Sequence, residues 1–189
     1  MADTDTEGTR RDFLFVATGA FAAVGGAAAT WPLIDQMNPD ASALALASIE
    51  IDLSPIAEGQ AITAVWRRKP IFIRHRTAKE IEAARATEVG DLSDTDARLL
   101  GDEGLEATDE NRTKKDHEKW LVLVGICTHL GCIPKGQRLG DRKGEYDGWF
   151  CPCHGSHYDT SGRIRKGPAP RNLDVPPYTF LSDTKIKIG

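Results

Sequence analysis

No cysteine lies outside residues 127–153, no segment repeats, and between Asp12 and Asp35 there is no charged residue at all. Each absence narrows the reading. Four cysteines gathered into 27 positions are too clustered to staple a scaffold along its length; they mark one site. Without internal self-similarity, a solenoid or propeller has no support. A net charge of −4 leaves no basic footprint, so no nucleic acid is expected as a partner. The 189 residues suffice for one ordinary domain plus an appendage.

What is present is concentrated between Cys127 and Tyr158. The runs Cys127-x-His129-x-x-Cys132 and Cys151-x-Cys153-His154 put six candidate ligands on two loops. Zinc takes four N/S ligands in paired short motifs, so a single zinc leaves two of the six idle. Two irons bridged by two sulfides also need only four protein ligands, and they accept two thiolates on one iron and two imidazoles on the other. That choice leaves two cysteines close together, able to join as a disulfide. The unlikeness of the two halves weighs against zinc.

CTHLGC, followed by CPCHGSHYD and then GPAP, resembles the Rieske iron–sulfur family in the form found in cytochrome bc1 complexes. The likeness is dense over roughly residues 120–171 and looser elsewhere. It implies one 2Fe-2S cluster, with Cys127 and Cys151 on the inner iron and His129 and His154 on the outer one. It implies a Cys132–Cys153 disulfide between the loops. Ser156 and Tyr158 fall where hydroxyls donate to a bridging sulfide and a cysteine sulfur, raising the potential. Leu130, Gly131, Gly155 and Pro168 are expected to shield the cluster, with Gly167–Pro170 as a covering loop. Two neutral imidazoles in place of two thiolates make the cluster less negative, moving its potential from about −400 mV toward about −150 to +300 mV. His154 would take the hydrogen bond and proton of ubiquinol, and His129 would face the electron exit.

The function so implied is one-electron transfer from ubiquinol to a c-type cytochrome. The chain would act as a subunit of a quinol-oxidising translocase, not catalytic alone. Cytochrome b, cytochrome c1, ubiquinol and membrane lipid are the implied partners. Two other readings stand beside it: a Rieske subunit of another exported oxidoreductase or oxygenase, and a structural zinc module. The Cys132/Cys153 pair argues against the oxygenase type. One departure is the 21-residue spacer between His129 and Cys151, whose excess falls in the Gly- and charge-rich 135–148 loop.

Toward the amino terminus, residues 1–12 end in Arg10-Arg11 ahead of the uncharged run, which reads as a Tat export signal. Phe13 to Ile34 spans 22 positions, about 33 Å as a helix and enough for a ~30 Å hydrocarbon core. No Lys or Arg follows until Arg67, so the amino terminus is expected in the cytoplasm, the anchor in the inner membrane and the head in the periplasm. A cleavable signal peptide ending near Ala27–Ala29 is the competing reading. Residues 35–48, with Asn38-Pro39 and many small residues, read as a flexible tether.

Residues 49–189 are expected to form an all-β, Rieske-type head. It would consist of antiparallel sheets, one short helix and a cluster-binding subdomain at about 126–171, carried on a single transmembrane helix. Alternating or apolar runs predict strands at Ile49–Leu53, Ala61–Trp66, Pro70–His75, Trp120–Ile126, Pro176–Phe180 and Thr184–Ile188. Helix formers at suitable spacing predict a helix over Lys79–Glu88. Asp91–Lys119 is polar and charged, predicting solvated loops. His75 and His117 are expected to be exposed, and His157 to serve hydrogen bonding or packing. Arg163, Arg165 and Lys166 are expected on a solvated or docking face.

Overall fold

A computed structural model describes residues 8–40, 47–102 and 104–189. The chain divides into two units, 1–44 and 45–189. In the first, α1 (Arg10–Asp35) is one continuous helix with no buried residue, about 39 Å long at 1.5 Å per residue. It begins three residues before the uncharged run. The reason is a capping box: Thr9 Oγ1 accepts the Asp12 N–H at 3.2 Å, and the Asp12 carboxylate accepts the Thr9 N–H at 2.8 Å. The helix ends at Asp35, four residues before Pro39. Residues 1–7 of the expected signal segment and 41–46 of the expected tether lie outside the described residues.

The second unit is built from three antiparallel three-stranded sheets among the described residues. One contains β1 (Ile49–Asp52), β9 (Lys185–Ile188) and β8 (Tyr178–Ser182), in that order. A second contains β2 (Ala61–Trp66), β3 (Lys69–His75) and β4 (Trp120–Val124). Its hairpin turns at Arg67 and Arg68, both at positive φ (48° and 62°), the pairing that gives a two-residue turn the twist of its strands. The third sheet, β5 (Asp147–Cys151), β6 (Ser156–Asp159) and β7 (Ile164–Lys166), belongs to the motif region. The sequence pattern does not predict it. Its strands are three to five residues long and mix polar and charged residues among the apolar ones, so they lack the apolar run or alternation that marks a strand.

One buried cluster draws on all three sheets: Ile71, Ile73, Val122 and Leu123, Ile186 and Ile188, and Trp149, Tyr158 and Ile164. All five residues of β4 are buried, which explains its continuous apolar run. β8 starts two residues later than expected because Pro176 and Pro177 offer no N–H to the ladder. The helix α2 spans Ala78–Arg85 rather than Lys79–Glu88; it starts on a Thr77–Glu80 capping box and gives way to a 3-10 turn at Val89–Asp91.

Three expectations are corrected. The 91–119 stretch is not simply solvated: Asp94, Ala97, Ala107, Asp109 and Arg112 are buried in it. The buried carboxylates Asp94 and Asp109 pair with cations inside the fold, which composition cannot reveal. Asp109 takes both guanidinium ends of Arg76 at 2.5 and 3.1 Å and the Ser161 hydroxyl at 2.8 Å. Arg163 is fully buried, not on a surface, bonded to Asp159 at 2.7 Å and to the Ala107 and Ala84 carbonyls. Finally, His75 and His117 are half-buried, stacked on Trp120 and Phe180 at 4.1 and 3.7 Å between ring centres. Aromatic neighbours from other strands cover them.

Candidate metal centre

β4 delivers the chain through Gly125 into the first ligand loop. A Cβ at Gly125 would lie 2.4 Å from the Phe72 ring, so the backbone passes where a side chain cannot. The loop closes on itself: Gly131 N–H donates to the Cys127 carbonyl at 3.0 Å, and Cys127 N–H to that of Cys132 at 2.7 Å. The second loop repeats the device, Gly155 N–H donating to the Cys151 carbonyl at 3.0 Å. Gly131 and Gly155 sit at φ +84° and +79°, the left-handed region that a side chain disfavours. Each loop is thus a tight turn that opens on a cysteine and closes on a glycine four residues later. A disulfide between Cys132 and Cys153 joins the two turns; closing about 21 residues of chain contributes roughly 3 kcal/mol by constraining the unfolded state.

The two remaining cysteines, Cys127 and Cys151, are free and buried. On the same two loops, the rings of His129 and His154 meet nearly perpendicular, with Nδ1 3.2 Å from Nδ1. Each of the two loops thus carries one free buried cysteine and one of the two facing imidazoles. The sulfurs of Cys132, Cys151 and Cys153 also lie within 4.8 Å of one another, but the disulfide removes two of them as ligands. Burial pushes the Cys151 thiol up, and the neighbouring Cys127 adds to this. The backbone N–H groups of Cys153 and His154 pull the other way. A positive centre at that point is what makes a thiolate there stable.

A third loop covers the pair. Ala169 N–H donates to Ser156 Oγ at 3.2 Å, while the Thr128 hydroxyl donates to the Arg171 carbonyl at 2.6 Å and accepts its N–H at 3.3 Å. Gly167 is required here: at φ +104°, its Cβ would fall 2.4 Å from the Gly155 carbonyl oxygen. The Tyr158 hydroxyl donates to Cys127 Sγ at 3.2 Å and accepts the Thr128 N–H at 3.4 Å. Its pKa is raised by burial first and then by Cys127, so it remains a donor. Ser156 is buried, and Leu130 is 72% exposed at the tip. Pro168 is exposed, and buried His157 accepts the Glu145 N–H at 3.1 Å. Thr128 and Asn172 escaped the sequence reading. Thr128 stands inside the motif, but its partner Arg171 is 43 residues away, and no local pattern signals that contact.

A donor set of two thiolates and two imidazoles fits a tetrahedral zinc as well as a diiron cluster by count alone. Relatives decide. Residues 78–178 match the family described as Rieske 2Fe-2S domain, and residues 1–40 match that described as Ubiquitinol-cytochrome C reductase Fe-S subunit TAT signal. The chain is 64% identical over 182 residues to the ubiquinol-cytochrome c reductase iron-sulfur subunit of Bradyrhizobium diazoefficiens, covering 96% of this chain and 94% of that one. It is 60% identical to the same subunit of Rhodospirillum rubrum, covering 97% and 93%. A solved chain of a hyperthermophilic respiratory Complex III superposes with a TM-score of 0.54 at 28% identity, covering 90% of this chain and 97% of that one. Disulfide, free thiols, facing imidazoles and relatedness over nearly the whole length place the chain in the Rieske family, among the ubiquinol-cytochrome c reductase iron-sulfur subunits.

Proposed function

We propose that the chain is the electron-transfer subunit of a bc1-type ubiquinol–cytochrome c reductase, with its 2Fe-2S cluster held by Cys127, Cys151, His129 and His154. The observation that carries this reading is the pair of imidazoles meeting at 3.2 Å, on two loops that each also carry a buried free cysteine. Bound there, the cluster supplies a one-electron couple in the range of about −150 to +300 mV. Each histidine that turns Nδ1 inward keeps Nε2 on the far edge of its ring. His154 is exposed, so that edge accepts the hydrogen bond of ubiquinol and takes its proton. His129, half-buried beside it, faces the path by which the electron leaves toward a c-type cytochrome.

Donors around the sulfurs favour the more negative, reduced state: Tyr158 O–H on Cys127, and the Cys153 and His154 amides on Cys151. Ser156, whose oxygen accepts from Ala169, has its own proton for the cluster. Leu130, Gly131, Gly155 and Pro168 keep the tip narrow and apolar, suited to a pocket supplied mainly by cytochrome b. Cytochrome c1 receives the electron in turn. α1 anchors the chain in the inner membrane among lipid, with its amino terminus cytoplasmic and the head periplasmic, and residues 35–48 serve as the tether. As part of the complex the chain takes part in a quinol-oxidising translocase; alone it is not catalytic.

Deleting the chain should abolish ubiquinol-dependent cytochrome c reduction by the membranes, and restoring it should return the activity. Iron and acid-labile sulfide, measured on the purified protein, should be equimolar. Zinc in their place would overturn the assignment.

A further inference from the structure

Resting on the function just proposed, we infer that Arg112 is a positioning residue of the cluster site: its guanidinium clasps both ends of the 161–173 loop, and that loop holds the two ligand loops in register. Arg112 is fully buried. Its Nε donates to the Ser161 carbonyl at 2.8 Å, Nη2 to that of Leu173 at 2.8 Å and of Gly162 at 3.5 Å, and Nη1 to that of Ala97. Leu173 N–H closes the same loop on the Gly162 carbonyl at 2.9 Å. There is no space to spare at the clasp, because a Cβ on Gly162 would lie 2.4 Å from Leu123 and 3.2 Å from the Arg112 Nη2.

The partner set sets this arginine apart. The two other fully buried arginines, Arg76 and Arg163, each face a carboxylate, Asp109 and Asp159. Among the described residues, Arg112 has no carboxylate within ion-pair distance, and its hydrogen bonds all end on carbonyl oxygens. Burial pulls its pKa down to about 10, with the charges of Asp159 and Asp109 opposing, so it stays a cation at neutral pH. A buried charge without a direct counter-ion is an expensive filler, and a packed apolar side chain would generally serve stability better. What a planar fork alone provides is several donors fixed relative to one another. Here they span three separate stretches of chain.

The clasped loop reaches the cluster site at two points. Its Ala169 N–H holds Ser156, two residues beyond His154, and its Arg171 holds Thr128, between Cys127 and His129. Thr128 N–H in turn meets the hydroxyl that Tyr158 directs at Cys127. Loosening the base of the loop therefore loosens both ligand loops and the Tyr158–Cys127 bond.

The test is Arg112→Lys, which keeps the charge but cannot span the three stretches, in the full chain assembled in its complex. Hydrogen exchange of the 161–173 amides should quicken, and the cluster's midpoint potential should fall, with a change in its electron paramagnetic resonance g-values. A lowered melting temperature with wild-type potential and g-values would mean a purely structural arginine and overturn the inference. Should Arg112→Lys assemble without its cluster, Asn172→Ser decides. Asn172 ties the same loop to Asp94 and Asp96 through bonds of 2.8–2.9 Å. A lower potential in that variant supports the clasp, and an unchanged one overturns it. Wild-type protein lacking iron and sulfide would instead defeat the function proposed above, so the two failures are distinguishable.

Discussion

Tyr158 stands 3.2 Å from Cys127 Sγ with its ring fully buried, so its hydroxyl has a fixed acceptor and no competing water. Removing that proton in Tyr158→Phe leaves the ring packing intact. A hydrogen bond of this kind contributes about 0.5–1.5 kcal/mol, which for one electron is a fall in midpoint potential of about 20–65 mV. Redox titration of the variant checks it, and overlay with wild type would deny Tyr158 this role. The residues of the site divide by how far their partners lie in sequence. Gly131 and Gly155 close on cysteines four residues away, and such turns are readable from spacing. Thr128 and Ser156 reach Arg171 and Ala169 across 43 and 13 residues, and only folding brings those together.

Among the elements, the long strands were legible because their burial leaves a run or an alternation: β2 and β4 fall where they were expected to start. The strands of the third sheet are not, since polar and charged residues interrupt the apolar pattern in them. α2 carries a signal that periodicity overlooks, the Thr77–Glu80 capping box. Glu80 there bonds to the Arg74 guanidinium and to the Thr77 N–H at 3.0 Å. Burial opposes its ionisation, yet those bonds and the Arg74 charge outweigh it, and its pKa is lowered from the ordinary 4.5. The unfolded carboxyl then binds protons more readily than the folded one. The stabilisation is complete above 4.5 and is lost as pH falls through the folded value. Unfolding curves of Glu80→Gln and wild type should thus differ most near neutrality and converge as acid is added. A constant gap across that range would rule out the linkage.

At the scale of the whole molecule, the first helix is long and apolar enough to cross a membrane. Arg10 and Arg11 open α1, with Asp12 between them and its uncharged stretch, and the match to a Tat signal model covers that region. Replacing both by lysine keeps the charge but should leave the chain on the cytoplasmic side. Protease protection of the head in spheroplasts checks this, and wild-type digestion of the variant would contradict it. The charged 91–119 stretch is the other large-scale lesson. By composition it belongs in water, whereas the fold draws Asp94, Asp109 and Arg112 inside and pairs the first two with cations.

The pairing of cysteines and histidines into two short motifs, the long apolar run and the main strands are legible in the sequence alone, because each depends on residue type and on spacings of a few positions. Tertiary structure alone decided which charges would be buried and which distant residues would tie the covering loop to the site. Burial of a charge depends on a partner that can lie 50 or more residues away, as Ser161 lies from Asp109 and Leu173 from Arg112. Such a partner leaves no local trace along the chain.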